Sequence, residues 1–212
     1  MPIRTLERLI DGFHAFRETY YEVNRPLFDA LARHGQAPKV MVIGCADSRV
    51  DPLLILGAEP GDVFVVRNVA NLVPPYAPDG RYHGTSAALE FAVRVLEVEH
   101  IVVLGHAQCG GVRVLLEGSP MAGRGDDFVG AWMSIAEPAR ARVWPLPPEK
   151  RQRAGEHETV KVSLGNLRTF PWIAERVAES RLSLHGWYFD LESGRLMQLD
   201  PLSQAFRDVS GE

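Results

Sequence analysis

Three short apolar runs constrain the fold of this chain more than any other feature. They cover residues 40–43 (VMVI), 63–66 (VFVV) and 101–104 (IVVL), and the first and third end at a glycine. Runs of this kind are typical of strands that are buried on both faces of a parallel sheet. Helical patterns follow over residues 86–96 and 110–116. The alternation predicts an α/β fold with a mainly parallel central β-sheet flanked by helices.

The N-terminal stretch predicts a helical arm. Apolar residues recur at spacings of three and four over residues 5–33, which indicates an amphipathic helix. We expect a break near Pro26, because proline disfavours helical geometry in the residue before it. Gly35 and Pro38 then end the segment. Such an arm is compatible with packing on its own domain or on another subunit.

The second half of the chain predicts more helix and an edge of the sheet. A Gly-rich stretch over residues 118–127 indicates a surface loop, and helical patterns cover residues 128–140 and 158–179. Residues 182–190 and 195–199 flank a turn signal, so we expect a C-terminal hairpin at one edge of the sheet. Together these patterns give an α/β core between a helical arm and edge strands.

Length and composition exclude several classes of protein. The chain has 212 residues, a formal net charge of -4, and hydrophobic and charged fractions of 46% and 24%. These values are ordinary for a globular protein, and the negative charge does not favour a nucleic-acid surface. We see neither a signal peptide nor an apolar run of the roughly 20 residues that span a bilayer. We therefore expect a cytoplasmic protein that binds neither nucleic acid nor membrane. Its single domain, 1–212, would comprise an arm (1–35), a core (36–117) and a helical region with edge strands (118–212).

Both cysteines of the chain directly follow predicted strands. Cys45 follows the first run, and Cys109 follows the third with His106 three residues before it. The carboxyl ends of parallel strands meet at one edge of a sheet, so these side chains can come together. Two thiolates and one imidazole suit zinc, and three protein ligands leave one position open, as in catalytic sites. The alternative is a pair of buried reduced thiols, since a disulfide is unusual in a cytosolic chain.

Two charged residues stand beside the first cysteine. Asp47 is the only convincing fourth ligand nearby, and it would bind the metal in a closed state of the site. Arg49 can instead hold that carboxylate away from the metal through a bidentate pair. By itself such a pair is equally compatible with a structural ion pair. Its position next to Cys45 favours a catalytic role for both residues.

These motifs in this order resemble the β-class carbonic anhydrases. The likeness rests on Cys45-x-Asp47-x-Arg49 and His106-x-x-Cys109 at their separation in the chain. It covers residues 35–117 strongly. Further segments that share the family's order are residues 67–71, 84–93, 105–111 and 183–187.

The resemblance implies zinc-dependent, reversible hydration of carbon dioxide to bicarbonate and a proton. In that family, hydroxide on one zinc ion per subunit attacks carbon dioxide, with Cys45, His106 and Cys109 as the implied metal ligands. Asp47 would orient the hydroxide, and Arg49 would keep Asp47 ionised. The resemblance also implies a homodimer or homotetramer with the active site near the subunit interface. The substrate-binding residues that it implies are Gln36, Phe64, Val69 and Phe91.

One pattern of substitutions favours a subgroup of that family. Relatives that bicarbonate inactivates carry a tryptophan, an arginine and a tyrosine at a noncatalytic site. Here Arg67 keeps the arginine, but Val42 and Phe189 stand at the other two positions. The chain therefore resembles the plant-like, constitutively open subgroup. Two alternative functions remain open: hydrolysis of a carbon dioxide-like heteroallene, such as carbon disulfide or carbonyl sulfide, and a non-catalytic structural or sensor role for the zinc.

Overall fold

The computed structural model describes residues 5–119 and 127–209. The chain divides into two compact units, Met1–Ala37 and Pro38–Glu212. In the part of the chain that the structure describes, no helix combines the length and the apolar character that crossing a membrane requires. The loop predicted over residues 118–127 falls mainly on 120–126, which lie outside the described residues.

The first unit contains two helices, α1 (Thr5–Phe16) and α2 (Arg25–His34), with a wider helical turn over Arg17–Tyr21 between them. Pro26 lies in the first turn of α2, where the missing N–H of proline has no helical partner to lose. The N–H of Gly35 bonds back to the last turn and closes α2. The predicted break near Pro26 and the predicted end of the segment are both confirmed.

The second unit is built on one six-stranded sheet with the strand order β2-β1-β3-β4-β5-β6. The pairs β1–β2, β1–β3 and β3–β4 are parallel, whereas β4–β5 and β5–β6 are antiparallel. The predicted fold, a mainly parallel sheet flanked by helices, is confirmed. The strands are β1 (Val40–Cys45), β2 (Val63–Asn68), β3 (His100–His106), β4 (Ser183–Phe189), β5 (Leu196–Leu199) and β6 (Phe206–Asp208).

The central strands β1 and β3 are apolar because both faces of the sheet are covered. Successive side chains along each strand point to opposite faces of the sheet and pack in two different hydrophobic clusters. On one face the buried residues are Met41, Ile43, Ile101 and Val103, and on the other they are Val42, Val102 and Leu104. Continuous apolar runs, rather than alternating ones, are the sequence pattern that such strands require.

Seven α-helices and two short 3-10 helices, Val69–Asn71 and Ser134–Ala136, are described in the second unit. Helix α8 begins at Pro148, well before the predicted start at residue 158, because Pro148 occupies the first turn instead of ending the preceding segment. Another proline, Pro171, starts a separate helix where the sequence predicted one continuous helix to residue 179. The helices are α3 (Pro52–Leu56), α4 (Gly84–Glu90, extended by a wider turn over Phe91–Val95), α5 (Gly110–Glu117), α6 (Phe128–Met133), α7 (Glu137–Val143), α8 (Pro148–Leu167) and α9 (Pro171–Ala178).

The C-terminal hairpin forms as predicted, but it does not end the sheet. Strands β4 and β5 pair in antiparallel fashion, and the short strand β6 adds to β5 on its outer side. The edge strand of this side is therefore Phe206–Asp208, which the sequence analysis did not identify. A strand of three residues has too little periodicity to be distinguished from a loop.

Helix α8 packs very closely on the sheet because two strands carry glycine beneath it. A Cβ atom at Gly105 of β3 would lie 2.6 Å from Val160 Cγ2, and one at Gly186 of β4 would lie 2.9 Å from Leu164 Cδ1. Any larger residue would push the helix outward. This close approach brings the N-terminal half of α8 up to the carboxyl end of β3.

A partly buried histidine on α8 predicts that the protein loses stability in acid. The ring of His157 packs against Tyr188 and Phe206, with centroids 4.4 Å apart in each pair. Burial, together with the charges of Arg153 and Lys161, lowers the pKa of His157 from an ordinary 6.5 to about 4. Glu158 and Asp190 oppose that shift.

Because the folded state of His157 binds a proton less readily than the unfolded state, the stability that it contributes is present above pH 6.5 and is lost towards pH 4. We expect this loss to reach about 2 kcal/mol at pH 5. His157→Phe should remove this part of the acid sensitivity. Urea unfolding of both proteins at pH 7.5 and pH 5 measures the difference, and an equal loss in the two would contradict the assignment.

Candidate metal centre

Two neighbouring strands bring the predicted ligands to one edge of the sheet. Cys45 is the last residue of β1 and His106 is the last residue of β3. These strands pair in parallel, with Gly44 opposite Leu104, so their carboxyl ends lie side by side. Cys109 follows after a short turn and immediately precedes α5. The edge where the sequence analysis placed a metal site is thus the edge where these three residues lie.

The three side chains form a compact cluster. One ligand atom from each of Cys45, His106 and Cys109 lies within 4.8 Å of the others, and all three residues are buried. The two Sγ atoms are 3.9 Å apart, far beyond the roughly 2.05 Å of a disulfide bond, and both cysteines are free. Among the described residues, this is the one group of three or more histidine, cysteine or acidic side chains that could hold a metal ion.

The imidazole is arranged as that of a metal ligand. Nδ1 of His106 lies 2.8 Å from the carbonyl oxygen of Ala107, which can only accept, so Nδ1 carries the proton and donates it. In the neutral imidazole Nε2 is then the free acceptor, and it is buried without a hydrogen-bond partner in the described part of the chain. Such an unpaired atom is costly unless a ligand binds it. Two sulfurs and this nitrogen match the donor set that zinc prefers.

The two cysteines share one proton. Either Sγ can donate across the 3.9 Å contact, and this contact with Cys109 lowers the pKa of Cys45 well below that of a free thiol. The same contact, together with burial, raises the pKa of Cys109. The pair therefore holds one negative charge near neutral pH. A divalent cation that binds here would displace the shared proton, because a metal ion needs both cysteines as thiolates.

The predicted bidentate pair stands beside the cluster. Arg49 Nε donates to Asp47 Oδ1 at 2.9 Å, and its Nη2 donates to Oδ2 at 2.7 Å. The backbone N–H of Arg49 also donates to Oδ1, at 3.0 Å. These bonds hold the pKa of Asp47 well below its usual range. A further bond from Arg49 to the carbonyl of Gln108 ties the pair to the turn before Cys109. Asp47 is therefore an ionised acceptor with a fixed orientation.

Arg67 shapes the loop that carries Asp47. Its Nε donates to the carbonyl of Cys45 at 2.9 Å, and its Nη2 donates to the carbonyls of Asp47 and Val50 at 2.7 and 2.9 Å. Its Nη1 pairs with the carboxylate of Asp51 at 2.9 Å. One guanidinium on β2 thus satisfies three loop carbonyls. This contact set fixes the turn between the first ligand and α3.

A buried acidic network that the sequence analysis missed lies behind Cys109. Glu156 of α8 is 3% exposed, and its Oε1 accepts the N–H of Cys109 at 3.0 Å and the amide of Gln152 at 2.7 Å. The hydroxyl of Tyr188 donates to Oε2 at 2.8 Å. The detectable signal was a polar pair spaced by four, Gln152 and Glu156, continuing the helical face of Val160. The predicted helix started too late to include it.

The predicted substrate-binding residues lie in different parts of the structure. The rings of Phe64 and Phe91 stack with centroids 5.9 Å apart. Val69 follows β2 and lies so close to Gly111 of α5 that a Cβ there would be 2.8 Å from its Cγ1. Val69 also borders a groove of about 810 Å³. Gln36 is exposed and belongs to the first unit, after α2. The substrate roles of these four residues stay predictions.

Comparison with known proteins gives one consistent family. A family model described as carbonic anhydrase matches residues 40–196. Beta carbonic anhydrase 3 of Arabidopsis thaliana is 40% identical over 202 residues, which cover 92% of this chain and 78% of the relative. A carbonic anhydrase of Pseudomonas aeruginosa is 41% identical over 203 residues, which cover 93% of this chain and 89% of the relative.

Solved structures agree with the sequence relatives. The β-carbonic anhydrase CcaA superimposes with a TM-score of 0.90 at 37% identity, covering 96% of this chain and 92% of the other. A structure described as one of two tetrameric β-carbonic anhydrases from Sordaria macrospora gives a TM-score of 0.78 at 34% identity, covering 92% and 96%. The match spans both the sheet and the segments that carry the cysteine–histidine cluster, and the chain belongs to the β-class carbonic anhydrase family.

Proposed function

We propose that this protein is a zinc-dependent carbonic anhydrase, a lyase that interconverts carbon dioxide and water with bicarbonate and a proton. One observation carries the proposal. In a chain of this family, the ligand atoms of Cys45, His106 and Cys109 lie within 4.8 Å of one another, next to the ionised Asp47 that Arg49 holds. We further propose that one zinc ion is bound per subunit.

The three cluster residues and the Asp47–Arg49 pair would have different roles in the reaction. Zinc, when it is held by Cys45, His106 and Cys109, lowers the pKa of water to about 7, as it does in carbonic anhydrases generally, and so makes hydroxide available at neutral pH. Asp47 is acceptor-only in its ionised form, so it can take the hydrogen bond of the attacking oxygen and turn a lone pair towards carbon dioxide. Arg49 keeps Asp47 ionised. Because it donates to both carboxylate oxygens, it also prevents rotation of the carboxylate.

The apolar residues suit an uncharged substrate. Phe64, Val69 and Phe91 offer no charge or hydrogen-bond donor from their side chains, so they would favour carbon dioxide over water at the reacting position. Gln36 would supply an amide donor to a substrate oxygen. We retain these four residues as the proposed substrate-binding set.

Stopped-flow hydration of carbon dioxide, followed with a pH indicator, tests the function. The enzyme should turn over carbon dioxide, lose activity after dialysis against a zinc chelator, and regain it with added zinc. A His185→Asn variant is a suitable control, because it removes an imidazole from β4 without touching the cluster. A rate that does not depend on zinc would contradict the proposal. Zinc binding with turnover of carbonyl sulfide alone, or with no turnover, would identify the hydrolase or the non-catalytic alternative.

We propose that the protein belongs to the constitutively open subgroup and lacks the inhibitory bicarbonate site. Two features support this. Asp51 and three loop carbonyls accept four of the five N–H donors of the Arg67 guanidinium, which leaves a single donor for an anion. Val42 is fully buried between strands and Phe189 packs in the same cluster. Neither side chain can donate a hydrogen bond to an anion.

The prediction that follows concerns bicarbonate. Initial rates of carbon dioxide hydration should fall with added bicarbonate only as simple product inhibition requires, with a Hill coefficient near one. Rates measured at constant ionic strength over a wide range of bicarbonate provide the check, with chloride in place of bicarbonate as the control. A steep cooperative loss of activity would overturn the assignment to this subgroup.

We propose a homodimer or homotetramer with the active site near the subunit interface. Val69 and Phe91 are 39% and 43% exposed in the single chain, which supports their burial in an assembly, and the relative from Sordaria macrospora is described as tetrameric. We also propose that the chain forms one functional domain with an N-terminal helical arm. A cytoplasmic location fits two cysteines that must stay reduced to bind metal.

A further inference from the structure

The turn that carries Cys109 contains a residue in a strained conformation and a buried N–H without a helical partner. Gln108, the residue before it, has a φ of 57°, a left-handed conformation that costs free energy in a non-glycine residue. Cys109 occupies the N-cap position of α5 and makes no side-chain capping bond there. Because its N–H precedes the first helical turn, no helical carbonyl is available to accept it. The N–H is buried with the residue, and Cys109 is 1% exposed.

One carboxylate provides the missing acceptor. Glu156 Oε1 accepts this N–H at 3.0 Å, and Gln152, which bonds to the same Oε1, donates from its amide to the carbonyl of Cys109 at 3.0 Å. Both polar groups of the Cys109 backbone are therefore tied to α8. A bond between a carboxylate and a backbone N–H is of the charge-assisted kind, which is stronger than a neutral one.

Glu156 itself is rigidly placed. Tyr188, which is 1% exposed, donates to its second oxygen at 2.8 Å from the sheet side. Gly155, its neighbour on α8, lies so close to α5 that a Cβ there would be 3.1 Å from Val112 Cγ1. The glycines of β3 and β4 described above hold α8 against the sheet. The carboxylate thus links three elements, α8, β4 and the turn before α5.

We propose that Glu156 is a positioning residue for the metal centre, which keeps the Sγ of Cys109 where it meets Cys45 and His106. This inference rests on the proposed zinc site and deepens it. Without the carboxylate, the buried N–H of Cys109 loses its acceptor, the strained turn at Gln108 is held only from its other side by Arg49 and Glu192, and the third ligand moves away from the other two. Partners behind a metal ligand typically change metal affinity by 10–100-fold.

Metal binding to the intact protein tests the role. Glu156→Leu should raise the rate of zinc loss to a chromophoric chelator by 10–100-fold. It should also shift the thiolate-to-cobalt absorption band of the cobalt-substituted protein. Glu156→Gln keeps an oxygen acceptor for the N–H of Cys109 and should restore both properties to near the wild type. Tyr188→Phe removes only the bond at the other oxygen, one of those that place Glu156, and should change both properties less than Glu156→Leu does.

Each outcome decides the matter. Wild-type zinc loss and an unchanged cobalt band in Glu156→Leu would overturn the proposal, as would equal damage in Glu156→Gln, Glu156→Leu and Tyr188→Phe, which indicates a general packing role. If Glu156→Leu does not fold, Gln152→Leu carries the test, with an expected several-fold faster loss of zinc, and an unchanged rate would overturn the proposal. Zinc binding and carbon dioxide hydration by the wild type are measured in parallel, so failure of the proposed function shows there, independently of any variant.

Discussion

Replacing Cys109 by serine is expected to abolish tight zinc binding and, with it, the hydration of carbon dioxide. A serine hydroxyl stays protonated near neutral pH and is a harder donor than a thiolate, so it does not replace the lost ligand. His106 and Cys45 would remain, and two ligands are too few for a stable tetrahedral site. The loss of zinc affinity should exceed the roughly 100-fold that partners behind a ligand account for.

Zinc content per chain after exhaustive dialysis, measured by plasma emission spectrometry, checks this expectation. Val114→Ala, on the helix that follows Cys109, is a suitable control, because it removes a partly buried side chain but no ligand. The control should keep about one zinc ion per chain. Full metal occupancy in Cys109→Ser would refute the assignment of this residue as a ligand.

Replacing Asp47 by asparagine is expected to leave zinc in place and to reduce kcat for carbon dioxide hydration by about 10²–10³-fold, within the range that positioned proton-handling groups contribute. The amide has nearly the same shape, but it presents an N–H₂ donor to the attacking oxygen or to Arg49. It also lacks the charge that the guanidinium pairs with at 2.7 Å. The oxygen that Asp47 should orient would then be free to turn.

Stopped-flow kinetics combined with zinc analysis separate the two expectations for Asp47→Asn. Asp62→Asn, which alters a carboxylate that bonds only to the backbone N–H of Glu59 among the contacts described, is the control and should behave as the wild type. Because the Arg49 guanidinium holds the pKa of Asp47 well below its usual range, protonation of Asp47 should not cause any loss of activity between pH 6 and 8. A wild-type rate in Asp47→Asn would exclude the proposed role.

The sequence was sufficient for those parts of the fold that depend on local pattern. The runs at residues 40–43, 63–66 and 101–104 are continuous and apolar, so each predicted a buried strand, and each is one. The meeting of Cys45 with Cys109 followed from the same reasoning, because the ends of neighbouring parallel strands share an edge. The bidentate pair of Asp47 with Arg49 could be predicted because the two residues are only two positions apart in the sequence.

The rest depends on tertiary packing that the sequence pattern does not show. Glu156 looks like a solvated helical residue until α8 is placed against the turn before α5, and only the glycines of the strands permit that approach. The predicted helix over residues 158–179 misses the first turns of α8, because a proline at a helix start and a proline in a loop give the same sequence signal. The substrate roles of Gln36, Phe64, Val69 and Phe91 were predicted from the family resemblance and not from a local sequence pattern. Gln36 belongs to the first unit, whereas the other three belong to the second.

The parallel pairing of β1 with β3 has a consequence for the rate at which the folded protein unfolds. Cys45 and Cys109 are neighbours in space although 64 residues separate them in the chain. Contacts between such distant segments form late in folding, because a long connection must first be ordered. A metal ion that needs both cysteines can bind tightly only once the strands have paired. Its stabilisation is therefore absent from the folding transition state, so metal loading should slow unfolding and leave the folding rate almost unchanged.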